Sequence, residues 1–256
     1  MNTSLTMLVV ATAGTLCALP CDAAEADKKQ PKKELIAQAH TEKPANEAAT
    51  FSYKPPLRGA PATRVGGGTR SLGARSFTVS VLAPNETGFT TRNDPTVYWY
   101  VSETVNAPVE LTVTTTEPLK DAATPAVEIM LQPPIAKGVH ALRLADYGIS
   151  LKPGVEYQWF VAVVANPAQR SGDIIAGGAI KRLAEGDAVQ ERVKRAPQAA
   201  WPAMYADSGI WYDALDLLSQ QISANPGDAR LRRQRAALLE QVGLREAALF
   251  DREAIR

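Results

Sequence analysis

Apolar and polar side chains alternate along the middle of the chain, beginning at Phe77. This period of two is typical of β-strands that bury one face. Seven segments follow it: 77–81, 97–101, 109–113, 127–131, 142–144, 155–163 and 174–183. Turn-forming sequences such as Asn93-Asp94-Pro95 and Lys152-Pro153-Gly154 separate them. Because no interval between these segments has room for a crossover helix, they predict an antiparallel β-sandwich over residues 77–186.

Beyond Glu185 the apolar residues recur with the spacing of an α-helix. Four of them fall on one helical face: Trp211, Leu215, Leu218 and Ile222. Asn225-Pro226-Gly227 predicts the end of this helix, and Asp228 is a suitable N-cap for the next one. Gly243 is placed to terminate the second helix, and a third short helix is predicted from Arg245 onward.

The two helices predicted over 211–225 and 228–242 resemble a single tetratricopeptide-like hairpin. One such unit cannot bury both of its apolar faces, because repeats of this kind rely on their neighbours. The hairpin must therefore pack on the sandwich, on a partner or on another copy of itself. We expect the helical segment 187–256 to pack on the sandwich, since consecutive elements are usually adjacent. The predicted fold class is therefore β-rich α+β.

The turn at residues 151–157 resembles a turn that is found in immunoglobulin-like domains. Leu151-Lys152-Pro153-Gly154-Val155-Glu156-Tyr157 resembles the stretch that leads into the penultimate strand of fibronectin type III and related immunoglobulin-like domains. In such domains the tyrosine that matches Tyr157 bonds back to the backbone of the corner. Trp99, on an earlier strand, suits the position of the central tryptophan. The resemblance implies an immunoglobulin-like fold and no particular activity.

Residues 1–26 have the character of a cleavable export signal. No charged side chain occurs in 1–21, and an apolar stretch over 5–19 ends at Pro20, ahead of small residues. An uncharged run of this length is also compatible with a membrane anchor, although its threonines, glycine and proline favour cleavage. Cys17 and Cys21 are the only cysteines, so the mature chain is expected to have neither disulfides nor thiolate ligands. We expect a periplasmic or secreted protein with no other transmembrane segment.

Charge distinguishes the next segment from the rest of the chain. Residues 27–76 contain ten Lys or Arg against four Asp or Glu, whereas the whole chain has a formal charge of only +1. This basic segment is rich in Pro, Ala and Gly and has no clear apolar period, so it predicts a solvated tail or linker. A weak contact with an anionic envelope surface is the alternative. The near-neutral total charge gives no reason to expect nucleic-acid binding.

Arg64-Val65-Gly66-Gly67-Gly68-Thr69-Arg70 is the most distinctive sequence of this segment. Glycines allow backbone amides to approach a ligand closely, and arginines bind phosphate or carboxylate through paired hydrogen bonds. We therefore hypothesise an anion site formed by five residues: Arg64, Gly66, Gly67, Gly68 and Arg70. The sequence lacks the Lys and Ser/Thr offsets of a phosphate-binding loop, so backbone docking against the sheet or a flexible joint is the alternative.

Residues that usually perform catalysis are scarce. His40 lies in the basic segment and His140 begins a strand, so neither predicts a metal site or a general base. No nucleophile elbow of the G-x-S-x-G type occurs. Asp213 and Asp216 lie three residues apart on a predicted helix, where a solvated face is the expected role. The sequence therefore predicts neither an enzyme nor a cofactor or metal.

Aromatic residues with polar tips offer a different candidate. Trp211 and Tyr212 are adjacent on a helix and point about 100° apart, so one can be buried while the other contacts a partner. Tyr98 and Tyr100 share the strand face opposite Trp99. We hypothesise a partner surface made of four residues: Tyr212, Asp213, Tyr98 and Tyr100. The alternative is that these aromatics fill the space between sheet and hairpin.

Four short motifs occur in a fixed order along the chain: RVGGGTR at 64–70, PTVYWYV at 95–101, YQW at 157–159 and GIWYDAL at 209–215. Together they resemble a bacterial family catalogued as domain of unknown function 928. The resemblance extends from about residue 64 to residue 244. It implies an exported bacterial protein and transfers no catalytic residue, because the family has no assigned activity.

Two functional hypotheses follow. The first is a non-catalytic module that binds or assembles with a protein of the cell envelope, through a surface shared by sandwich and hairpin. The second is a protein that binds envelope glycans, or a hydrolase that acts on them, with carboxylates and exposed aromatics as its functional groups. Recovery of a protein partner favours the first hypothesis, and retention on glycan without a protein partner favours the second.

Overall fold

The computed structural model describes residues 51–55, 63–66, 69–72, 75–115, 127–184 and 188–255. The predicted export signal over 1–26, with both cysteines, lies outside these residues. So do residues 27–50 of the basic segment, with His40, and Gly67 and Gly68 of the hypothesised anion site. Within the described ranges, no helix has both the length and the apolar character needed to cross a bilayer.

Nine strands occur within these ranges, and they form two sheets. In chain order they are β1 Thr69–Leu72, β2 Arg75–Val81, β3 Gly88–Thr90, β4 Thr96–Val101, β5 Val109–Thr115, β6 Val127–Leu131, β7 Gly138–Arg143, β8 Glu156–Val163 and β9 Ile174–Arg182. One sheet has four strands in the order β1-β2-β4-β7, and the other has five in the order β3-β9-β8-β5-β6. Neighbouring strands are antiparallel except β3 and β9, which are parallel. The prediction of a β-rich middle is confirmed.

Five α-helices follow β9 in the described residues: α1 Ala188–Lys194, α2 Trp201–Asp207, α3 Trp211–Ala224, α4 Ala229–Gln241 and α5 Arg245–Glu253. The carboxylate of Asp228 accepts hydrogen bonds from the backbone amides of Arg230 (2.8 Å) and Leu231 (3.3 Å), so it caps α4. Gly243 follows α4 with a φ of +76°, a left-handed conformation that glycine adopts without strain. The predicted helical C-terminal segment and both of these end signals are confirmed.

Two of the strands have no counterpart in the sequence prediction. β1 has four residues and β3 has three, which is too short for an alternating pattern to be recognised. The pairing of β3 is also distant along the chain, since Gly88 lies opposite Ile180 of β9. A local window of sequence contains no signal for such a partner.

Part of the basic segment is folded against the rest of the protein, which corrects the prediction of a solvated tail or linker there. Phe51 and Tyr53 are only 7% and 8% exposed. The ring of Tyr53 packs edge-on against Trp211, with 4.9 Å between ring centroids. Val65 pairs with Gly177 of β9 through backbone hydrogen bonds of 2.8 and 3.1 Å. These apolar residues stand singly among polar ones, so the sequence shows no period that would reveal their burial.

Alternate residues of the two sheets join one hydrophobic core. Val81 and Trp99 enter it from the four-stranded sheet, and Leu111, Trp159 and Val161 enter it from the five-stranded sheet. All five are at most 1% exposed. In the strands that the alternating pattern predicts, the inward face is the apolar face.

Helices α3 and α5 cover the other face of the four-stranded sheet. Tyr98 and Tyr100 of β4 point toward them, because they alternate with the inward Trp99. The hydroxyl of Tyr98 donates a hydrogen bond of 2.7 Å to Asp216 of α3. The ring of Tyr100 packs on Phe250 of α5, with 5.7 Å between centroids. The helical segment therefore shares its buried surface with the sheet.

A buried ion pair joins the last three helices. Arg235 of α4 donates two hydrogen bonds, of 2.6 and 2.7 Å, to Asp251 of α5 and one of 3.1 Å to Ser219 of α3. Asp251 is fully buried and Arg235 is 5% exposed. Arg232 makes a longer contact, 3.4 Å, to the same carboxylate. Charges are tolerated in an interior only when they are paired and hydrogen-bonded in this way.

Asp251→Ala should destabilise the protein by about 3–5 kcal/mol, because it leaves Arg235 buried without its partner charge. The free energy of unfolding in urea measures this effect. Glu240→Ala is the matched control, since it removes the acceptor of an exposed ion pair with Arg252 (2.7 Å). The control should lose less than about 1 kcal/mol. Equal losses in the two variants would contradict the role of the buried pair.

Candidate functional site

Tyr212 lies in the interior of the protein, where its side chain is 1% exposed. Its hydroxyl accepts a hydrogen bond from Trp159 Nε1 (2.9 Å) and donates one to the carbonyl oxygen of Ala179 (3.0 Å). The ring lies directly beside Gly88 of β3, where an added Cβ would be 2.6 Å from Tyr212 Cε2. Burial raises the pKa of the Tyr212 phenol above its ordinary value, so the group remains a donor.

Asp213 is also inside the protein, with 5% exposure. Thr91, which directly follows β3, donates hydrogen bonds to this carboxylate from its backbone amide (3.1 Å) and from its hydroxyl. Burial raises the pKa of Asp213, and the bonds from Thr91 act in the opposite direction. These contacts fix the first turn of α3 to the end of β3.

Asp216 lies one turn further along α3 and is 2% exposed. Besides the Tyr98 hydroxyl, it accepts hydrogen bonds from Gln220 (2.8 Å) and Arg92 (3.4 Å). Burial, together with the nearby Asp216 carboxylate, raises the pKa of Tyr98 above its ordinary value. The prediction of a solvated face at Asp213 and Asp216 is therefore wrong, because both carboxylates are hydrogen-bonded between helix and sheet.

All four residues of the hypothesised partner surface are buried, since Tyr98 and Tyr100 are only 6% and 4% exposed. Their position matches the alternative that the sequence left open, in which the aromatics fill the space between sheet and helices. The physical reason is that α3 has neighbours on several sides, namely α2, α4, β3 and β4. A helix enclosed in this way buries Trp211 and Tyr212 together, although they point in different directions.

Two of the five residues of the hypothesised anion site reach a common cavity. Arg64 and Gly66 line a cavity of about 280 Å³ beside the beginning of α5. Arg64 Nη1 donates a hydrogen bond of 2.9 Å to the carbonyl oxygen of Ala83. The backbone of Arg70 belongs to β1, and its side chain is outside the described part of the structure, as are Gly67 and Gly68.

One row of residues crosses the outward face of the five-stranded sheet. Met130 of β6 pairs with Glu110 of β5, which pairs with Ala162 of β8, which pairs with Ile175 of β9. Met130 and Ile175, at the two ends of the row, are 47% and 46% exposed. Phe160 of β8 is half-buried in the adjoining row. Ala162, within the row, is only 7% exposed. We call these five residues the exposed sheet face, after the exposed side chains at the two ends of the row.

An ion pair lies over the middle of the exposed sheet face. Arg170 donates hydrogen bonds of 3.1 and 3.2 Å to the two carboxylate oxygens of Glu110, and one of 2.5 Å to Asp173. The hydrogen bonds to Glu110 make the larger contribution, and together with the bond to Asp173 they raise the pKa of Arg170 above its ordinary value. The principal contacts between helices and strands in the described residues involve β3, β4 and β7, so the helices lie elsewhere. This face is therefore the candidate for a protein interface, with two exposed apolar side chains at the ends of the row and an ion pair between them.

The histidine of the sheet is engaged in packing. His140 stacks on Trp99 with 4.5 Å between ring centroids, and its Nε2 lies 2.7 Å from the carbonyl oxygen of Ala136. In the described part of the chain, no group of three or more His, Cys, Asp or Glu is arranged to hold a metal ion.

Comparison with known protein families tests the resemblance inferred from the four motifs. The family model described as Domain of Unknown Function (DUF928) matches residues 65–250. The matched range contains all nine strands, the helices α1 to α4 and most of α5. No curated protein matches the sequence. The resemblance inferred from the four motifs is confirmed.

Tyr212→Phe should lower the free energy of unfolding by about 2 kcal/mol, because it leaves Trp159 Nε1 and the Ala179 carbonyl buried without their partner. Denaturation in urea measures the loss. Tyr147→Phe removes the same hydroxyl from a residue that is 43% exposed, and it should change stability by less than about 0.5 kcal/mol. Wild-type stability in Tyr212→Phe would show that these two hydrogen bonds do not stabilise the fold.

Asp213→Asn should reduce the dependence of stability on pH. The pKa of Asp213 is raised in the folded protein, so the folded state holds this proton more tightly than the unfolded state. The resulting stabilisation is present below the unfolded pKa of about 3.9 and is lost as the pH rises through the folded pKa. Asparagine does not titrate, and its amide oxygen still accepts from the Thr91 amide.

Urea unfolding of wild type and Asp213→Asn between about pH 3 and about pH 7 measures this difference. We expect wild type to lose stability relative to the variant as the pH rises. A constant difference across the range would contradict the raised pKa of Asp213.

Proposed function

Because the chain belongs to the family described as Domain of Unknown Function (DUF928), to which no activity is assigned, we propose its function from its own surfaces. The proposed function is that of an exported, non-catalytic binding or assembly module of the bacterial cell envelope. Its ligand is a protein of the envelope, and its binding surface is the exposed sheet face.

The observation that carries this proposal is the row across the five-stranded sheet. Its two ends, Met130 and Ile175, leave nearly half of each apolar side chain in water. Removing apolar area of this kind from water favours association with a partner. Glu110 and Arg170 between them supply charged groups that orient a partner and select against poorly matched ones.

We infer that the two sheets form an immunoglobulin-like sandwich. The strand order supports this: β2, β4 and β7 are neighbours in one sheet, and β9, β8, β5 and β6 are neighbours in the other. The hydroxyl of Tyr157 accepts a hydrogen bond of 3.1 Å from the backbone amide of Lys152, which is the contact that the corner sequence predicts. Such a fold carries no activity by itself, so the function depends on the face that it presents.

We also infer that α3 and α4 form a tetratricopeptide-like hairpin. Their lengths of 14 and 13 residues and the short connection between them support this. A single hairpin of this kind needs neighbours on both sides. Here α5 packs on α4, and α2, β3 and β4 pack on α3, so the hairpin does not offer its apolar faces to a partner.

The way carboxylates are used favours binding over catalysis. Asp213, Asp216 and Asp251 are at most 5% exposed, and each accepts hydrogen bonds from neighbouring residues of the fold. The alternative function, glycan binding or glycan hydrolysis, relies on exposed aromatics and carboxylates. Tyr98, Tyr100 and Tyr212 are buried as well, so this alternative lacks the groups that the sequence suggested for it.

Export of the protein to the periplasm or medium is part of the proposal. It rests on the uncharged, apolar stretch within residues 1–26 and on the confinement of both cysteines to that stretch. A chain without cysteine beyond residue 26 folds in an oxidising compartment without forming incorrect disulfides.

Ile175→Lys and Met130→Lys test the proposed binding surface. The purified protein is crosslinked in a periplasmic extract of the source bacterium, and the captured species are identified by mass spectrometry. Wild type should recover a protein partner in stoichiometric amount. Each lysine variant should lower the recovery at least about tenfold, because the partner would have to bury an unpaired charge.

Leu249→Lys is the matched control, since Leu249 is a 53% exposed leucine on α5. This control should recover the partner as wild type does, and all three variants should keep the wild-type unfolding temperature. Undiminished recovery with both Ile175→Lys and Met130→Lys would exclude the exposed sheet face as the binding surface. Retention on envelope glycan without any protein partner would favour the alternative function.

A further inference from the structure

The cavity beside α5 contains two arginines from distant parts of the chain. Arg64 reaches it from the segment before β1, and Arg245 is the first residue of α5. Among the described residues, neither side chain forms an ion pair with an Asp or Glu. Ser80 and the backbone of Gly66 and Gly243 contribute further polar groups to the lining.

The position of Arg64 is set by the fold. Its Nη1 is held by the carbonyl oxygen of Ala83 at 2.9 Å. Its Nη2 faces Gly243, in the turn between α4 and α5. A Cβ added to Gly243 would lie 3.8 Å from this nitrogen. Half of the guanidinium group is thus anchored, and the other half is directed toward the cavity. An anchored arginine loses less conformational entropy on binding a ligand than a free one does.

The charge of the cavity is positive in balance. Two guanidinium groups line it against one carboxylate, Glu246. Burial lowers the pKa of Arg64, and Glu86, which lies nearby, acts in the opposite direction. Arg64 is half-buried and none of the carboxylates of the described residues is in ion-pair contact with it, so a bound anion would stabilise its charge. No side chain caps the first turn of α5, so its backbone amides are also available to an anion. These amides alone would not define a site.

We propose that this cavity binds a phosphate group, held between Arg64 and Arg245. A phosphate monoester carries a charge of about −1.5 to −2 near neutral pH, which matches the two guanidinium groups. The volume of about 280 Å³ is just below the usual range for ligand pockets, so it accommodates a phosphate with at most a small attached group. The site differs from the glycine-run site hypothesised above, because Arg245 takes the place that Arg70 had there.

This inference does not depend on the exposed sheet face. Its ligand has two possible sources, free phosphate and the phosphomonoester headgroup of a lipid. Both present the same chemistry to the arginines, and the experiment below separates them.

The test is a titration of the isotopically labelled protein with inorganic phosphate, followed by amide chemical shifts in NMR spectra. We expect saturable shifts that are largest at the amides of Gly66, Arg245 and Glu246. Arg245→Gln should weaken the apparent affinity about tenfold, because it removes a charge-assisted contact. Arg245 has an exposed side chain, so this variant should fold as wild type does.

Arg233→Gln is the matched control, since it removes the same charge from an exposed position on α4. It should change the affinity less than about twofold, because screening through water is strong at a distance. Arg64→Lys keeps the charge but loses the planar fork, and it should also weaken binding. Its unfolding temperature is measured in parallel, because Arg64 also holds Ala83.

Flotation with vesicles that contain phosphatidic acid, compared with phosphatidylcholine alone, identifies the source of the phosphate. Binding that requires phosphatidic acid and Arg245 assigns a lipid headgroup. Saturable phosphate shifts without vesicle binding assign a free phosphate or a soluble phosphomonoester. Absence of saturable shifts up to about 50 mM phosphate, or equal weakening by Arg245→Gln and Arg233→Gln, would overturn the site.

Discussion

The first turn of α3 is fixed to the β-strands by hydrogen bonds from side chains that are adjacent in sequence. Trp211 donates to the carbonyl oxygen of Leu82, Tyr212 bonds to Trp159 and Ala179, and Asp213 accepts from Thr91. Each of these polar groups is buried, and a buried polar group without a partner costs free energy. The contacts therefore require one position of the helix relative to both sheets. The burial of Tyr53 against Trp211 follows from that position, and Arg235 joins α4 to α3 and α5 through Ser219 and Asp251.

This constraint also decides which parts of the protein remain available for binding. Helices α3 and α5 occupy one face of the four-stranded sheet, and the core occupies the inward faces of both sheets. The exposed sheet face and the cavity between Arg64 and Arg245 remain accessible to ligands. Their chemistry differs, because the first combines apolar side chains with one ion pair and the second is cationic. The two proposals consequently concern different ligands and different experiments.

Sequence reasoning succeeded where burial follows a regular period. The alternation in β5 and β8, the N-cap at Asp228 and the stop at Gly243 all depend on residues that are close in sequence. It failed at the candidate partner surface, which consists of Asp213 and three tyrosines. The sequence around such residues does not show whether their polar groups bond to water, to a ligand or to other residues of the fold. For the anion site, the residue that joins Arg64 at the cavity is Arg245, 181 positions further along the chain. No local motif connects these two arginines.

The amino-acid order by itself determined most of the segments that become strands and helices, with β1 and β3 as exceptions, since local periodicity and end signals specify them. The sequence also identified the family, because four short motifs can be recognised in it without the structure. Only the tertiary structure decided which polar side chains face inward and which apolar ones stay outside. Tyr212 is buried and Ile175 is exposed, against the expectation from polarity alone, because the neighbours of each residue come from distant segments. Burial depends on those neighbours, and a linear sequence does not state them.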